Sequence, residues 1–168
     1  QPANVLDRDQ RAFFFEHGYL VLGGFLPDAW RDRLRAAMDE LRERANEPEG
    51  LSSDFEFEDD PAGGPPRLRQ VLCSPDYHDD LWAYASEPPQ TDIVADLVGP
   101  DVKFREANVA YKPPRGGGFK WHQDVAFFPH SNMALLMVLT FLDDVTADQG
   151  PTTVVPGSHL GEVYDHYD

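Results

Sequence analysis

Cysteine and long apolar runs are scarce in this chain. Cys73 is the single cysteine, so an internal disulfide cannot form and a reducing compartment is expected. No apolar stretch approaches the length of a membrane span, and the first residues lack a signal-peptide pattern. We therefore expect a cytoplasmic protein without a membrane anchor.

Basic side chains are also few. The 168 residues carry 14 Lys and Arg against 30 Asp and Glu, which gives a formal net charge of −16. Such a chain repels phosphate backbones and anionic lipids, so nucleic acids and membrane surfaces are not expected partners. A small-molecule substrate is the expected partner, and the sequence does not indicate an oligomeric state.

The rest of the composition is typical of a globular protein. A hydrophobic content of 41% with 11 Phe predicts a folded core, and the length fits one domain over residues 1–168. We expect helices over about 1–100 and strands over about 101–168. Because the chain opens on Gln1 without Met and stops just after a polar loop, we expect a fragment of a longer protein.

The first hundred residues carry helix signals. Asp7 and Gln10 fit a capping box, and Gly18 fits the end of the helix that follows. Apolar residues at helical spacing predict a second helix after Asp28, and two more helices are predicted over 76–86 and 91–98. Residues 19–22 and 67–72 are predicted as strands. The acidic segment 47–66 is predicted as a solvated loop, with a lid over a pocket as the alternative.

From residue 102 the apolar period changes to two. Strands are predicted over 102–110, 119–128, 134–142 and 152–155, with turns between them. Helices followed by antiparallel strands are typical of a β-sandwich or jelly roll with helices packed outside.

One imidazole and one carboxylate stand two residues apart in the predicted strand 119–128. Side chains at i and i+2 of a strand point to the same face, so His122 and Asp124 can reach one point in space. Imidazole and carboxylate are two of the three groups in the facial triad that binds non-haem Fe(II). A His-x-Asp pair alone is common by chance, so the surrounding sequence decides its meaning.

That surrounding sequence resembles the phytanoyl-CoA dioxygenase family of Fe(II)- and 2-oxoglutarate-dependent oxygenases. The likeness rests on YKPP at 111–114 followed by WHQD at 121–124, on FLDDVTADQG at 141–150, and on PGSH at 156–159. It implies a double-stranded β-helix, a cupin-like jelly roll, that is incomplete at the C-terminal end of this chain. The implied reaction is hydroxylation of a small organic substrate by O₂, with oxidative decarboxylation of 2-oxoglutarate to succinate.

The resemblance also implies site residues. His122 and Asp124 match the first two iron ligands, and they are also the implied catalytic residues. The third ligand, a later His, and the Arg that binds 2-oxoglutarate have no match in the chain. His159 matches a family His that is not a ligand, whereas His166 and, less well, His130 are possible substitutes. His78 is predicted as a surface residue of a helix.

Three further residues match positions near the co-substrate. Asn108 matches a residue that contacts 2-oxoglutarate, with a sheet-edge amide as the alternative. Leu139 matches a position where some members place a Trp against the 2-oxo acid; here it would form only an apolar wall, with a core leucine as the alternative. Gln70 stands where some members place a Lys, so that contact is in doubt. Trp121 is predicted to pack behind the metal, and the side chain of Gln123 is predicted to point away from the site.

Two other functions stay open because the triad is incomplete. The chain could be a non-catalytic jelly-roll binding module that has lost the distal His, or a structural fragment without metal.

Overall fold

A computed structural model describes residues 5–47, 51–128 and 131–166. Within those ranges the elements are the helices α1 (Arg8–His17), α2 (Asp28–Arg44), α3 (Asp79–Ser86) and α4 (Gln90–Val98), and the strands β1 (Phe55–Glu58), β2 (Arg67–Val71) and β3 (Val109–Ala110). None of the helices in this described part is long and apolar enough to cross a membrane.

The chain divides into two compact units. The first consists of the residues up to Gly23, Thr91–Val102 and the residues from Phe119 onward, and the second consists of Gly24–Gln90 and Lys103–Gly118. We call the second unit the hairpin unit. The described residues from 119 to 166, which belong to the first unit, are called the motif segment.

Helix α1 begins and ends as its sequence predicts. The Asp7 carboxylate accepts from the backbone N–H of Gln10 at 2.8 Å, and the Gln10 side chain accepts from the backbone N–H of Asp7 at 2.9 Å. This capping box satisfies N–H groups that have no partner inside the helix. At the other end Gly18 adopts φ +81°, a left-handed conformation that glycine adopts without strain.

A buried carboxylate anchors α4 in the first unit. Asp96 is only 5% exposed and accepts from the backbone N–H groups of Val5 and Leu6, at 2.8 and 2.9 Å. Ile93 and Leu97 on the same helix are buried with Leu6. The two N–H donors offset the cost of removing this charge from water, so the segment before α1 is fixed to α4.

The core of the hairpin unit lies on α2 and the sheet. Of the predicted apolar stripe of α2, Leu34 and Leu41 are buried and Trp30 and Met38 are half-buried, and Ala37 is buried beside them. The strands pair antiparallel in the order β1-β2-β3, and Val71 at the centre of the sheet is fully buried. The prediction of a loop over 47–66 is therefore wrong where β1 lies, because Phe55 pairs with the sheet and is buried.

Glu58 connects the β-hairpin to the glycine-rich turn at 116–118. Its carboxylate accepts from Arg67 Nη2 at 2.9 Å and from the backbone N–H of Gly117 at 3.0 Å. Arg67 also donates to the carbonyl of Pro114 at 3.0 Å. A Cβ atom at Gly116 would lie 2.9 Å from the Pro113 carbonyl oxygen, so the turn requires glycine there.

The predicted strands of the motif segment are not formed. Residues 119–128, 134–142 and 152–155 contain no strand where the structure describes them, residues 19–22 contain none, and the strand predicted over 102–110 is reduced to β3. Alternating apolar residues define the faces of a strand, but a strand exists only where a neighbour pairs its N–H and C=O groups. Leu139 and Phe141, which were predicted to lie in an internal strand apolar on both faces, are 57% and 54% exposed. The described residues thus form a small antiparallel sheet with helices, and the predicted jelly roll is not seen among them.

Candidate metal centre

His122 presents one ring nitrogen for binding. Its Nδ1 lies 2.7 Å from the carbonyl oxygen of Lys120. Because a carbonyl oxygen can only accept, Nδ1 is the donor in this contact, and in this tautomer of the ring Nε2 is the nitrogen with a lone pair for a metal. An Nδ1–H bond to a backbone carbonyl is the usual way in which a metal-binding histidine is oriented.

Asp124 faces that lone pair. Its Oδ1 lies 3.5 Å from Nε2 of His122, and the two side chains are 35% and 41% exposed. Asp124 opens a short 3-10 helix, Asp124–Ala126, instead of continuing a strand. The two groups therefore meet through a turn in the backbone and not, as the sequence suggested, by sharing one face of a strand.

The pair fits a divalent first-row metal ion as two of its ligands. An imidazole nitrogen and a carboxylate oxygen at roughly 2.0–2.2 Å from one ion are at most about 4.4 Å apart, and the observed 3.5 Å lies within this limit. The donor set is the one that Fe(II) binds in facial triads. Within residues 5–47, 51–128 and 131–166 no group of three His, Cys, Asp or Glu side chains forms a fuller site.

The other predicted site residues make bonds of their own. In the hairpin unit, Asn108 Oδ1 accepts from the backbone N–H of Cys73 at 3.0 Å, and the Gln70 side chain donates to Glu56 on β1. Leu139, in the motif segment, is 57% exposed and packs into no core. Their predicted contacts with 2-oxoglutarate stay predictions.

The remaining histidines have separate environments. His159 Nε2 lies 3.0 Å from the Phe15 carbonyl oxygen, and His78 is the N-cap of α3, where its Nδ1 accepts from the backbone N–H of Asp80. The placement of His78 inside a helix was therefore wrong by one residue, because its ring replaces a missing backbone acceptor. His130 lies outside the described residues.

The prediction for one neighbour of the pair is wrong, and the partners of the other neighbour were not predicted. Trp121, predicted to be core, is 69% exposed, because its strand partners are not formed. Gln123 forms hydrogen bonds to Glu162 and Tyr164 with its side chain and to His166 with its backbone N–H. Its partners are 39 to 43 residues away in the sequence, and no local spacing could have indicated them.

Aromatic rings connect the same residues. The Phe127 ring centroid lies 6.1 Å from the ring of His122 and 5.5 Å from the ring of His166. Both histidines therefore border one phenyl ring beside the candidate metal centre.

Comparison with known proteins agrees with the motifs. The chain is 27% identical over 94% of its length to a probable alpha-ketoglutarate-dependent hypophosphite dioxygenase of Stutzerimonas stutzeri, and 26% identical over 97% of its length to the peroxisomal phytanoyl-CoA dioxygenase of Homo sapiens. It covers 55% and 50% of these two proteins, so it spans about half their length. An L-proline trans-4-hydroxylase of Streptomyces griseoviridis is 36% identical over 46% of the chain and 31% of the hydroxylase.

No solved structure matches the chain. The family model described as phytanoyl-CoA dioxygenase (PhyH) matches residues 14–168, which is nearly the whole sequence. The chain therefore belongs to the phytanoyl-CoA dioxygenase family.

Proposed function

We propose that this chain supplies the first two iron ligands of an Fe(II)- and 2-oxoglutarate-dependent dioxygenase. The proposed enzyme hydroxylates a small organic substrate with O₂ and converts 2-oxoglutarate to succinate and CO₂. The observation that carries the proposal is the 3.5 Å approach of His122 Nε2 to Asp124 Oδ1. The names of the relatives, which include dioxygenases and a hydroxylase, support it.

The two residues of the pair and Lys120 have defined roles in this proposal. His122 would hold the ion through Nε2, and the Lys120 carbonyl keeps the ring in the required tautomer. Asp124 would add a negative charge that offsets the charge of the cation. The bound ion and 2-oxoglutarate would supply the oxidative chemistry, which the side chains of the protein cannot perform.

The complete site needs residues beyond those described. Because the chain spans about half the length of its relatives, we propose that a third ligand and an Arg for 2-oxoglutarate come from the rest of the gene product. In the same proposal residues 101–168 form one part of a single jelly-roll domain. Asn108, Gln70 and Leu139 would then border the co-substrate.

Substitution of Asp124 tests the function directly. In the complete gene product, we expect Asp124→Ala to lower 2-oxoglutarate turnover by more than about 100-fold. Loss of an outer contact to a ligand costs 10- to 100-fold, and loss of the ligand itself costs more. Succinate formation with Fe(II), O₂ and 2-oxoglutarate is the measurement.

Asp32→Ala is the matched control, because Asp32 is an exposed carboxylate on α2 that bonds its neighbour Arg31. It should leave turnover unchanged. Equal turnover in Asp124→Ala and wild type would show that Asp124 is not a ligand. A wild-type protein that binds Fe(II) through the pair without any turnover would favour the binding-module alternative.

A further inference from the structure

The residue between the two proposed ligands is fixed by three hydrogen bonds. Gln123 Nε2 donates to the Glu162 carbonyl at 3.0 Å, and Gln123 Oε1 accepts from the Tyr164 N–H at 2.8 Å. The backbone N–H of Gln123 donates to Nε2 of His166 at 2.8 Å. All three bonds connect one residue to the short segment 162–166.

The side-chain amide makes the two bonds that one residue of a parallel strand makes. It donates to the carbonyl of one residue and accepts from the N–H of the residue two positions later, as a strand does with a parallel neighbour. The segment 162–166 contains no strand where the structure describes it, so this amide gives its backbone the pairing that a neighbouring strand would otherwise provide.

None of these three bonds uses the side chain of a proposed ligand. His122 and Asp124 flank Gln123, and neither side chain takes part in binding the segment 162–166. The backbone of Gln123 is extended, with φ −121° and ψ 115°, and the 3-10 helix opened by Asp124 follows directly. A hold on residue 123 therefore restricts both neighbours at once.

We propose that Gln123 is a positioning residue, whose clasp on residues 162–166 fixes the peptide that carries His122 and Asp124. The term clasp denotes the bonds from Gln123 to Glu162, Tyr164 and His166. An exposed pair of ligands on a short turn can adopt many relative orientations. Metal binding selects one of them, which costs conformational entropy. Because the clasp already restricts these orientations in the metal-free protein, it lowers the entropy cost of metal binding. For its link to metal, this inference rests on the proposed function.

Two measurements on the complete gene product test the proposal. Hydrogen exchange reports the clasp itself, and we expect the Tyr164 amide to exchange roughly ten-fold faster in Gln123→Ala, which removes its acceptor. Anaerobic titration with Co(II) reports the ligand pair. We expect roughly 10- to 100-fold weaker binding in Gln123→Ala, and at saturation an altered visible Co(II) spectrum, because the geometry of the ligands is no longer fixed.

Gln149→Ala is the matched control. Gln149 is another glutamine of the motif segment whose side chain accepts from a backbone N–H, that of Thr146, at 2.7 Å. Its loss should leave Co(II) affinity, the Co(II) spectrum and Tyr164 exchange as in wild type. Gln123→Glu is a second variant: its carboxylate keeps an acceptor for the Tyr164 N–H but places a second acceptor against the Glu162 carbonyl. Tyr164 exchange in this variant should therefore lie between that of wild type and that of Gln123→Ala.

The possible outcomes separate the clasp from the proposed function. Co(II) affinity within two-fold of wild type and an unchanged spectrum in Gln123→Ala would overturn the positioning role. Unchanged Tyr164 exchange in Gln123→Ala would overturn the clasp. A wild-type protein that binds no Co(II) would overturn the proposed function, whereas the exchange result would still decide whether the clasp exists.

Discussion

The hairpin unit and the motif segment are ordered by different forces. The hairpin unit buries apolar side chains from α2, α3 and all three strands, among them Leu41, Phe55 and Val71. In the motif segment no described residue is buried, and Leu139, Leu160 and Tyr164 are all more than half exposed. Burial is strong and non-directional, whereas single hydrogen bonds are weak and directional.

This difference predicts which substitutions should destabilise each region. In the hairpin unit stability should follow the volume that a substitution removes. In the motif segment the loss of stability should depend on which individual hydrogen bonds a substitution removes, such as those of Gln123 and His159. The candidate metal centre lies in the second kind of region, where a few contacts determine how its ligands are held.

Two matched leucines should give the largest contrast. Leu41 is 2% exposed in the hairpin unit and Leu139 is 57% exposed in the motif segment. We expect Leu41→Ala to lower the free energy of unfolding by about 2–5 kcal/mol, since it leaves a cavity. Leu139→Ala should change it by less than about 0.5 kcal/mol.

Urea unfolding of both variants measures this contrast. Similar losses in the two proteins would mean that the motif segment buries Leu139 in solution, and the comparison of the two regions would then be wrong.

A single glycine should have the next largest effect. Gly18 ends α1 with φ +81°, and a Cβ atom there would lie 2.3 Å from Nδ1 of His159. Nε2 of His159 contacts the Phe15 carbonyl oxygen, and the backbone N–H of Gly157 donates to the backbone carbonyl of His17 at 2.8 Å. Gly18→Ala should therefore cost about 2–3 kcal/mol, from backbone strain and from displacement of the His159 ring.

Thermal unfolding of Gly18→Ala and of Gly23→Ala checks the effect. Gly23 is a suitable control because a Cβ atom there would meet nothing within 4 Å and its φ is not in the left-handed region. Equal losses in the two variants would show that the contact between Gly18 and His159 does not stabilise the first unit.

The sequence predicted those parts whose signals are local. The capping box of α1 and the stripe of α2 depend on residues three or four positions apart, and both were confirmed. The strands of the motif segment depend on distant partners, and local apolar patterns predicted them wrongly. His122 and Asp124 could be selected from spacing and family likeness, but Gln123 could not, because its partners are fixed only in the folded chain.

Alkaline pH offers the finest test of burial in the hairpin unit. The Tyr111 hydroxyl donates to the carbonyl of Met38 on α2, and burial raises the pKa of Tyr111 from its ordinary 10.0 to about 12. The folded protein holds this proton more tightly than the unfolded chain does. Its contribution to stability is therefore complete below pH 10 and is lost as the pH rises from 10 to about 12.

The expected loss is small. A pKa difference of about two units between the folded and unfolded states corresponds to at most about 2.7 kcal/mol in the free energy of unfolding. Partial exposure of the ring should reduce this to roughly 1 kcal/mol. Urea unfolding of wild type and Tyr111→Phe at pH 8 and pH 11 isolates the effect, because the other titrating groups are common to both proteins. The stability difference between the two should shrink at pH 11. If it stays constant instead, the Tyr111 hydroxyl is open to water, and the hairpin unit is less closed around β3 than its buried side chains indicate.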